Sequence, residues 1–155
     1  MKSIEFKVIG KIRGKARPRF YGTSKIDTTK VNVRAYKSKN DKVYENIIKA
    51  SYYEADGFKF PDNSYLRMTL IMYFSIPKSY PKKRKQRCIE GIERPAKKPD
   101  TDNVLKNVCD ALNEVAYKDD IQVIEVISSK HYSQEEEDYI IVKIEDITNE
   151  NIQKL

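Results

Sequence analysis

Cysteine, histidine and glycine are scarce in this 155-residue chain, at two, one and five residues, and each scarcity removes a class of chemistry. Cys88 and Cys109 fit neither a CxxC pair nor a Cys/His zinc spacing, so two free thiols are expected rather than a metal knot or a disulfide scaffold. His131, the sole histidine, has no Cys, His or paired acidic partner at ligand spacing and is expected on the surface or at a strand end. Neither a Ser/His/Asp arrangement nor a Gly-rich phosphate loop is present. Long apolar runs are missing as well. Nothing approaches the ~18 residues of a membrane span, and residues 1–6 lack the apolar stretch of a secretory signal. These absences predict a cytoplasmic protein. With no repeat or low-complexity segment, one compact domain is expected.

What the chain does have is charge, unevenly placed. The total is 30 Lys+Arg against 23 Asp+Glu, a net charge of +7. Residues 1–50 carry +10, 51–76 carry −1, 77–98 carry +7 and 99–155 carry −9. The field felt by a polyanion depends on local excess rather than on the sum. Two basic blocks attract phosphates, and an acidic final third can hold something cationic. That combination suits a metal-dependent nuclease; it equally suits a nucleic-acid binder with a solvated acidic end.

Residues 4–10 alternate apolar and polar side chains and stop at glycine, which predicts a half-buried strand. Residues 11–39 are basic and aperiodic, predicting a loop with a short strand near Phe20. A first helix is expected over 40–55, with Val43, Ile47, Ile48, Ala50 and Ser51 near helical spacing. A buried strand follows over 65–76, then a long basic connection over 77–99. A second helix is predicted over 102–116, striped by Val104, Val108, Ala111, Leu112 and Val115 with Leu105 beside them. Two last strands are predicted over 121–131 and 138–147, and a frayed polar tail after Thr148. The fold class read from this order is α+β: a single domain with a mixed β-sheet and helices packed on it.

The acidic residues cluster. Asp100 and Asp102 stand two apart where the second helix begins, and Lys106 follows Asp102 by one turn on the same face. Carboxylates crowded together repel and raise one another's pKa unless a cation neutralises them, and Mg²⁺ prefers such oxygen ligands. The bland alternative is that one of the two caps the helix, worth about 0.5–2 kcal/mol. Asp119-Asp120 form a second pair between that helix and the next strand. A helix over 102–116 would run about 22 Å, so the following strand must double back for Asp120 to approach the first pair; otherwise the pair is a polar turn. Lys106 is either an ordinary ion-pair partner or a cation that offsets charge developing on phosphoryl oxygens. Asp110, one turn on, either anchors Lys106 or faces water.

Taken together, Ser75-Ile-Pro-Lys-Ser-Tyr80, Lys98-Pro-Asp-Thr-Asp-Asn-Val-Leu-Lys106, Asp110-Ala-Leu-Asn113, Tyr117-Lys-Asp-Asp-Ile-Gln-Val123 and Lys130-His-Tyr132 resemble the RusA family of Holliday-junction resolvases, in both order and spacing. Gly14-Lys-Ala-Arg-Pro-Arg19 resembles a basic element found early in many members, so the likeness covers residues 4–147, within a RusA-like domain over 1–147 followed by a polar tail over 148–155. The resemblance implies a Mg²⁺-dependent (Mn²⁺ being the substitute) homodimeric endonuclease of DNA recombination and repair. Members are common in phages and prophages, and nick four-way DNA junctions symmetrically. It places catalytic and metal-binding carboxylates on Asp100, Asp102 and Asp120 and the essential lysine on Lys106, with Asp110 and Asp119 in support. Arg17, Arg19, Lys78, Lys82, Lys83, Arg84, Lys97 and Lys98 are the expected contacts to the DNA backbone. Tyr21 and Tyr80 are either stacking platforms for unpaired bases or packing residues. The rival readings are a non-catalytic nucleic-acid-binding module and a metal nuclease acting on flaps or other branched DNA.

Overall fold

Strict alternation builds the sheet. In β1 (Ser3–Ile9) every second residue is buried, Ile4, Phe6 and Val8 pointing to one side. β4 (Leu66–Ser75) repeats the pattern with Leu66, Met68, Leu70, Met72 and Phe74, and β6 (Tyr139–Asp146) does so with Ile140, Val142 and Ile144. Register lines these up in rows: Ile4, Ile144 and Met68; Phe6, Val142 and Leu70; Val8, Ile140 and Met72. A slip by one residue would turn every row to solvent, which is what pins the pairing. The sheet order is β1-β6-β4-β5, with β5 (Val123–Ser133) parallel to β4 and the other pairs antiparallel. The sheet is therefore mixed, as expected. The structure, a computed structural model, describes residues 2–16, 19–21, 34–36 and 39–151.

Two helices cover the apolar face of the sheet. In α1 (Lys39–Glu54) the buried stripe is Tyr44, Ile48 and Tyr52, whereas Val43 and Ile47 are 51% and 41% exposed. The expected stripe is thus rotated by one residue. Tyrosine wins the inward positions because its ring brings more apolar surface than valine, and Tyr52 sets its ring edge-on to Phe6 at 5.3 Å while its hydroxyl donates to the Phe58 carbonyl. α3 (Thr101–Leu112) buries Val104, Val108, Ala111 and Leu112, a spacing of i, i+4, i+7 and i+8 that makes one stripe. It ends four residues before the expected boundary. Asn113 leaves the helix with ψ 130° and Glu114 takes φ 62°. The turn buries Tyr117, whose hydroxyl donates to the Cys109 carbonyl at 3.0 Å and satisfies an acceptor in the last helical turn.

The basic connection between β4 and α3 is not a plain loop. It contains α2 (Lys82–Ile89), whose single buried side chain is Cys88. Four consecutive cations open it with no acidic residue in the first turn, an unfavourable arrangement at the positive end of a helix dipole. β2 (Arg19–Tyr21) and β3 (Arg34–Tyr36) pair antiparallel as a separate two-stranded sheet; only the first was expected. The segment after β6 is tied back as far as Glu150: Tyr65 donates its N–H to the Thr148 hydroxyl at 3.0 Å and Arg67 binds Glu150 at 2.8 Å, while the rest of the expected frayed tail, 152–155, lies outside the described residues. Both cysteines are buried free thiols, as expected. Among the described residues no helix is long and apolar enough to cross a membrane.

Candidate active site at the start of α3

Because α3 buries one stripe against the sheet, Asp102 and Lys106 are forced outward, one turn apart. Asp100 occupies the N-cap position, with extended φ −67° and ψ 141°, yet its side chain accepts no cap hydrogen bond. The capping alternative therefore fails for Asp100. Asp102 lies in the first turn and is exposed. No described residue forms a salt bridge or side-chain hydrogen bond with either carboxylate. Lys106 makes no ion pair with Asp102; its positive charge is felt by Asp120. Asp110 anchors Lys15, not Lys106.

Asparagines on the next face of α3 hold the basic loop over residues 11–16. Asn107, fully buried, donates its Nδ2 to the Arg13 carbonyl at 2.8 Å. The Lys15 N–H donates to the Asn103 carbonyl at 3.0 Å. Gly14 sits so close that a Cβ there would lie 3.0 Å from the Asn103 Cβ and 3.1 Å from the Pro99 Cβ. The result is a cleft of about 380 Å³ lined by Lys11, Arg13, Lys15, Lys98, Asp100 and Asn103. Lys11, Arg13 and Lys98 put an excess of positive charge around the Asp100 carboxylate, while Lys15 is paired with Asp110.

The segment that delivers Asp100 is held from the opposite side. Lys130, on β5, donates its Nζ to the carbonyls of Lys97 and Pro99, both at 2.6 Å. The Lys130 carbonyl in turn accepts from Arg94 Nε and Nη2 at 3.0 and 2.8 Å. Arg94 also meets His131 Nε2 at 3.3 Å. His131 is half-buried at the strand end, and burial first, then the Arg94 charge, holds its pKa below the usual imidazole range. The Lys98–Pro99 peptide is cis.

Asp119 and Asp120 divide the roles of turn and charge. Asp119 caps a one-turn 3₁₀ helix, Asp120–Gln122, accepting from the Ile121 N–H at 3.1 Å. Gln122 pins this turn: its Oε1 accepts from the Lys118 N–H at 3.0 Å and its Nε2 donates to the Pro61 carbonyl at 2.9 Å. The Asp120 N–H donates to Asn113 Oδ1 at 3.0 Å, setting the residue beside the end of α3. Burial pushes the Asp120 carboxyl above its usual range; the hydrogen bond and charge of Asp119 add to this, and the Lys106 ammonium partly opposes it. β5 does run back along α3, bringing Lys130 to the Asp100 end and leaving Asp120 at the other. Among the described residues no three His, Cys, Asp or Glu side chains converge as a metal site, so Asp100, Asp102 and Asp120 are not gathered at one point.

Of the expected DNA contacts, Lys78, Lys82, Lys83, Lys97 and Lys98 are exposed. Arg84 is engaged within the chain, gripping Glu93 at 2.8 Å and stacking 3.6 Å over the Tyr80 ring. That stacking makes Tyr80 a packing residue. Lys97 lies 5.3 Å from the Phe74 ring centre. Arg17 lies outside the described residues, as do the side chains of Arg19 and Tyr21. Lys11, Arg13, Lys15, Asn107, Gln122 and Lys130 were not expected at the site; Lys15, Gln122 and Lys130 lie within the quoted motifs, Lys11 and Arg13 only within the basic stretch over 11–39, and Asn107 within no motif.

A family model described as endodeoxyribonuclease RusA matches residues 10–145. The chain is also 37% identical over 138 residues to the uncharacterised protein YqaN of Bacillus subtilis strain 168, covering 87% of this chain and 92% of that protein.

Proposed function

This chain is a member of the RusA endodeoxyribonuclease family, and from that premise we propose that it cuts four-way DNA junctions by Mg²⁺-dependent phosphodiester hydrolysis, as a homodimer. One observation carries the reading. Two solvent-facing carboxylates, Asp100 and Asp102, stand at the start of α3, neither holding a side-chain partner among the described residues, and Lys106 follows one turn later. An exposed pair of unpaired carboxylates beside a basic cleft serves no purpose in a plain binder, where it repels phosphates.

The donors suit the cation. All are oxygens, and Mg²⁺ is commonly held by one or two carboxylates with water and phosphate oxygens completing the shell. Asp100 and Asp102 would hold it; Asp120, beside the end of α3, shares the field of Lys106 rather than their position. When bound, the ion supplies Lewis-acid polarisation of the phosphate and an activated water; Mn²⁺ would substitute. The chain's own side chains do the rest. Lys106 offsets negative charge on the phosphoryl oxygens as it develops. Lys11, Arg13, Lys15 and Lys98 seat the strand in the cleft, and Lys78, Lys82, Lys83 and Lys97 follow the backbone beyond it. Two symmetric nicks across a junction require two equivalent sites, which a two-fold dimer provides.

The test compares wild type with Asp102→Asn on an immobile four-way junction, a flap and a linear duplex, with Mg²⁺ or EDTA. Paired nicks in the junction alone, abolished by EDTA and reduced on the order of 100-fold or more by the substitution, support the proposal; the variant should bind the junction at least as tightly. Cleavage of the flap in preference would reassign the substrate, and binding without cleavage would refute the enzyme.

A further inference from the structure

We propose that Lys130 is a positioning residue for this site, its ammonium holding the backbone that presents Asp100. The inference rests on the nuclease reading of Asp100. Residues 94–99 lead into α3, and among the described residues the hydrogen bonds that tie them to the rest of the sheet run to Lys130 and its neighbour His131. Their other hydrogen bonds are local, Ala96 N–H to the Arg94 carbonyl and Lys97 N–H to the Pro95 carbonyl. Lys130 works in both directions at once. Its carbonyl receives the Arg94 guanidinium, and its Nζ reaches the carbonyls of Lys97 and Pro99 at 2.6 Å each.

The side-chain chemistry fits this task. An ammonium has three donors on a flexible stem and no acceptor, so it can bind two carbonyls that converge from one strand of chain. The Pro99 carbonyl belongs to the peptide unit that enters Asp100, and anything that fixes it fixes the Asp100 Cα. Register explains the reach. Lys130 pairs with Met72 in β4, whose side chain is buried under the helices. Lys130 therefore leaves β5 on the helix-covered side of the sheet, at the sheet's edge, where the entry to α3 lies. A half-buried ammonium is costly without partners, and the two carbonyls offset that cost.

The test uses Lys130→Met, which keeps the stem and removes the donors, and Lys130→Arg, which restores donors. Wild type and both variants are assayed for single-turnover junction cleavage, junction Kd, thermal unfolding, and affinity for Mn²⁺ alone by electron paramagnetic resonance. The methionine variant should cleave about 10–100-fold more slowly, bind Mn²⁺ several-fold more weakly, and hold the junction Kd within about twofold, since Lys130 binds backbone rather than phosphate. Arginine should recover most of the loss. Wild-type cleavage and Mn²⁺ affinity in the methionine variant would overturn the proposal. So would a junction Kd weakened by the same factor as cleavage, or arginine behaving no better than methionine. If methionine does not fold, Lys130→Leu, which also lacks donors, is read in its place. A wild-type protein that cuts no DNA refutes the nuclease reading by itself; the Mn²⁺ measurement then decides Lys130, and unchanged or undetectable Mn²⁺ binding overturns it.

Discussion

Gly14→Ala adds one methyl group at the contact between the basic loop and α3. The new Cβ would stand 3.0 Å from the Asn103 Cβ and 3.1 Å from the Pro99 Cβ, against an optimal carbon–carbon separation of about 3.5–4.0 Å. Roughly half an ångström must be found. Neither neighbour is a free-swinging end: Asn103 sits in the first turn of α3, and the Pro99 carbonyl is tied to Lys130. Two responses are open. If the loop retreats, the bonds from Lys15 N–H to the Asn103 carbonyl and from Asn107 to the Arg13 carbonyl stretch. Two weakened hydrogen bonds and local overpacking together destabilise the fold by about 1–3 kcal/mol. If α3 retreats instead, Asp100 and Asp102 move. A 1 Å misplacement can cost about 100-fold in rate, so half that displacement lowers cleavage on the order of tenfold. The assay is single-turnover cleavage of a four-way junction at saturating protein, run beside thermal unfolding. A variant that cuts at the wild-type rate with an unchanged Tm would refute the claim that this contact seats the cleft.

Three further outcomes follow from the same geometry. In the metal-free protein, Asp119→Asn should lower the midpoint at which Asp120 titrates, because it removes a neighbouring negative charge that raises that pKa while an asparagine oxygen can still accept from Ile121; a carboxyl carbon NMR titration reads this, and an unmoved or raised midpoint would refute the coupling. Burial pushes the Tyr44 and Tyr52 hydroxyls up from the ordinary tyrosine pKa of about 10 to about 12; the folded state therefore keeps protons that the unfolded chain releases first. Their stabilisation is fully present below pH ~10 and is lost as pH rises from ~10 to ~12, by roughly 2–3 kcal/mol per tyrosine; urea unfolding as a function of pH checks it, and flat stability over that window would contradict it. Lys82→Ala with Lys83→Ala should cut the slope of log Kd against log salt by about 1.8 if both meet phosphates. The Tm should stay level or rise, since two cations leave the positive end of α2; an unchanged slope would remove α2 from the DNA path.

The elements that could be read along the chain are those whose side chains repeat with a period. β1 alternates and its inward residues were evident, and α3 shows its stripe at Val104, Val108, Ala111 and Leu112. β4 and β6 were legible as strands, but their runs of successive apolar residues left the inward face to the register with β1. α2 has no such stripe, because one cysteine is all that it buries. In α1 two apolar stripes compete one residue apart, and the choice of Tyr44, Ile48 and Tyr52 depends on the ring of Phe6 in another element.

The chemistry divides in the same way. Asp102 and Lys106 are four apart in one helix, so amino-acid order and the 3.6-residue turn alone set them on one outward face, with Asp100 at the N-cap before them. Everything that aims them depends on contacts between distant parts of the chain. Asp110 turns to Lys15 rather than Lys106. Gln122 binds the Pro61 carbonyl, Asn107 the Arg13 carbonyl and Lys130 the Lys97 and Pro99 carbonyls. These partners are backbone acceptors, which every residue carries and no side-chain pattern distinguishes. Order along the chain thus set the candidate carboxylates and lysine, and only the folded sheet and helices, by bringing particular carbonyls within reach of Asn107, Gln122 and Lys130, decided how the backbone around them is held.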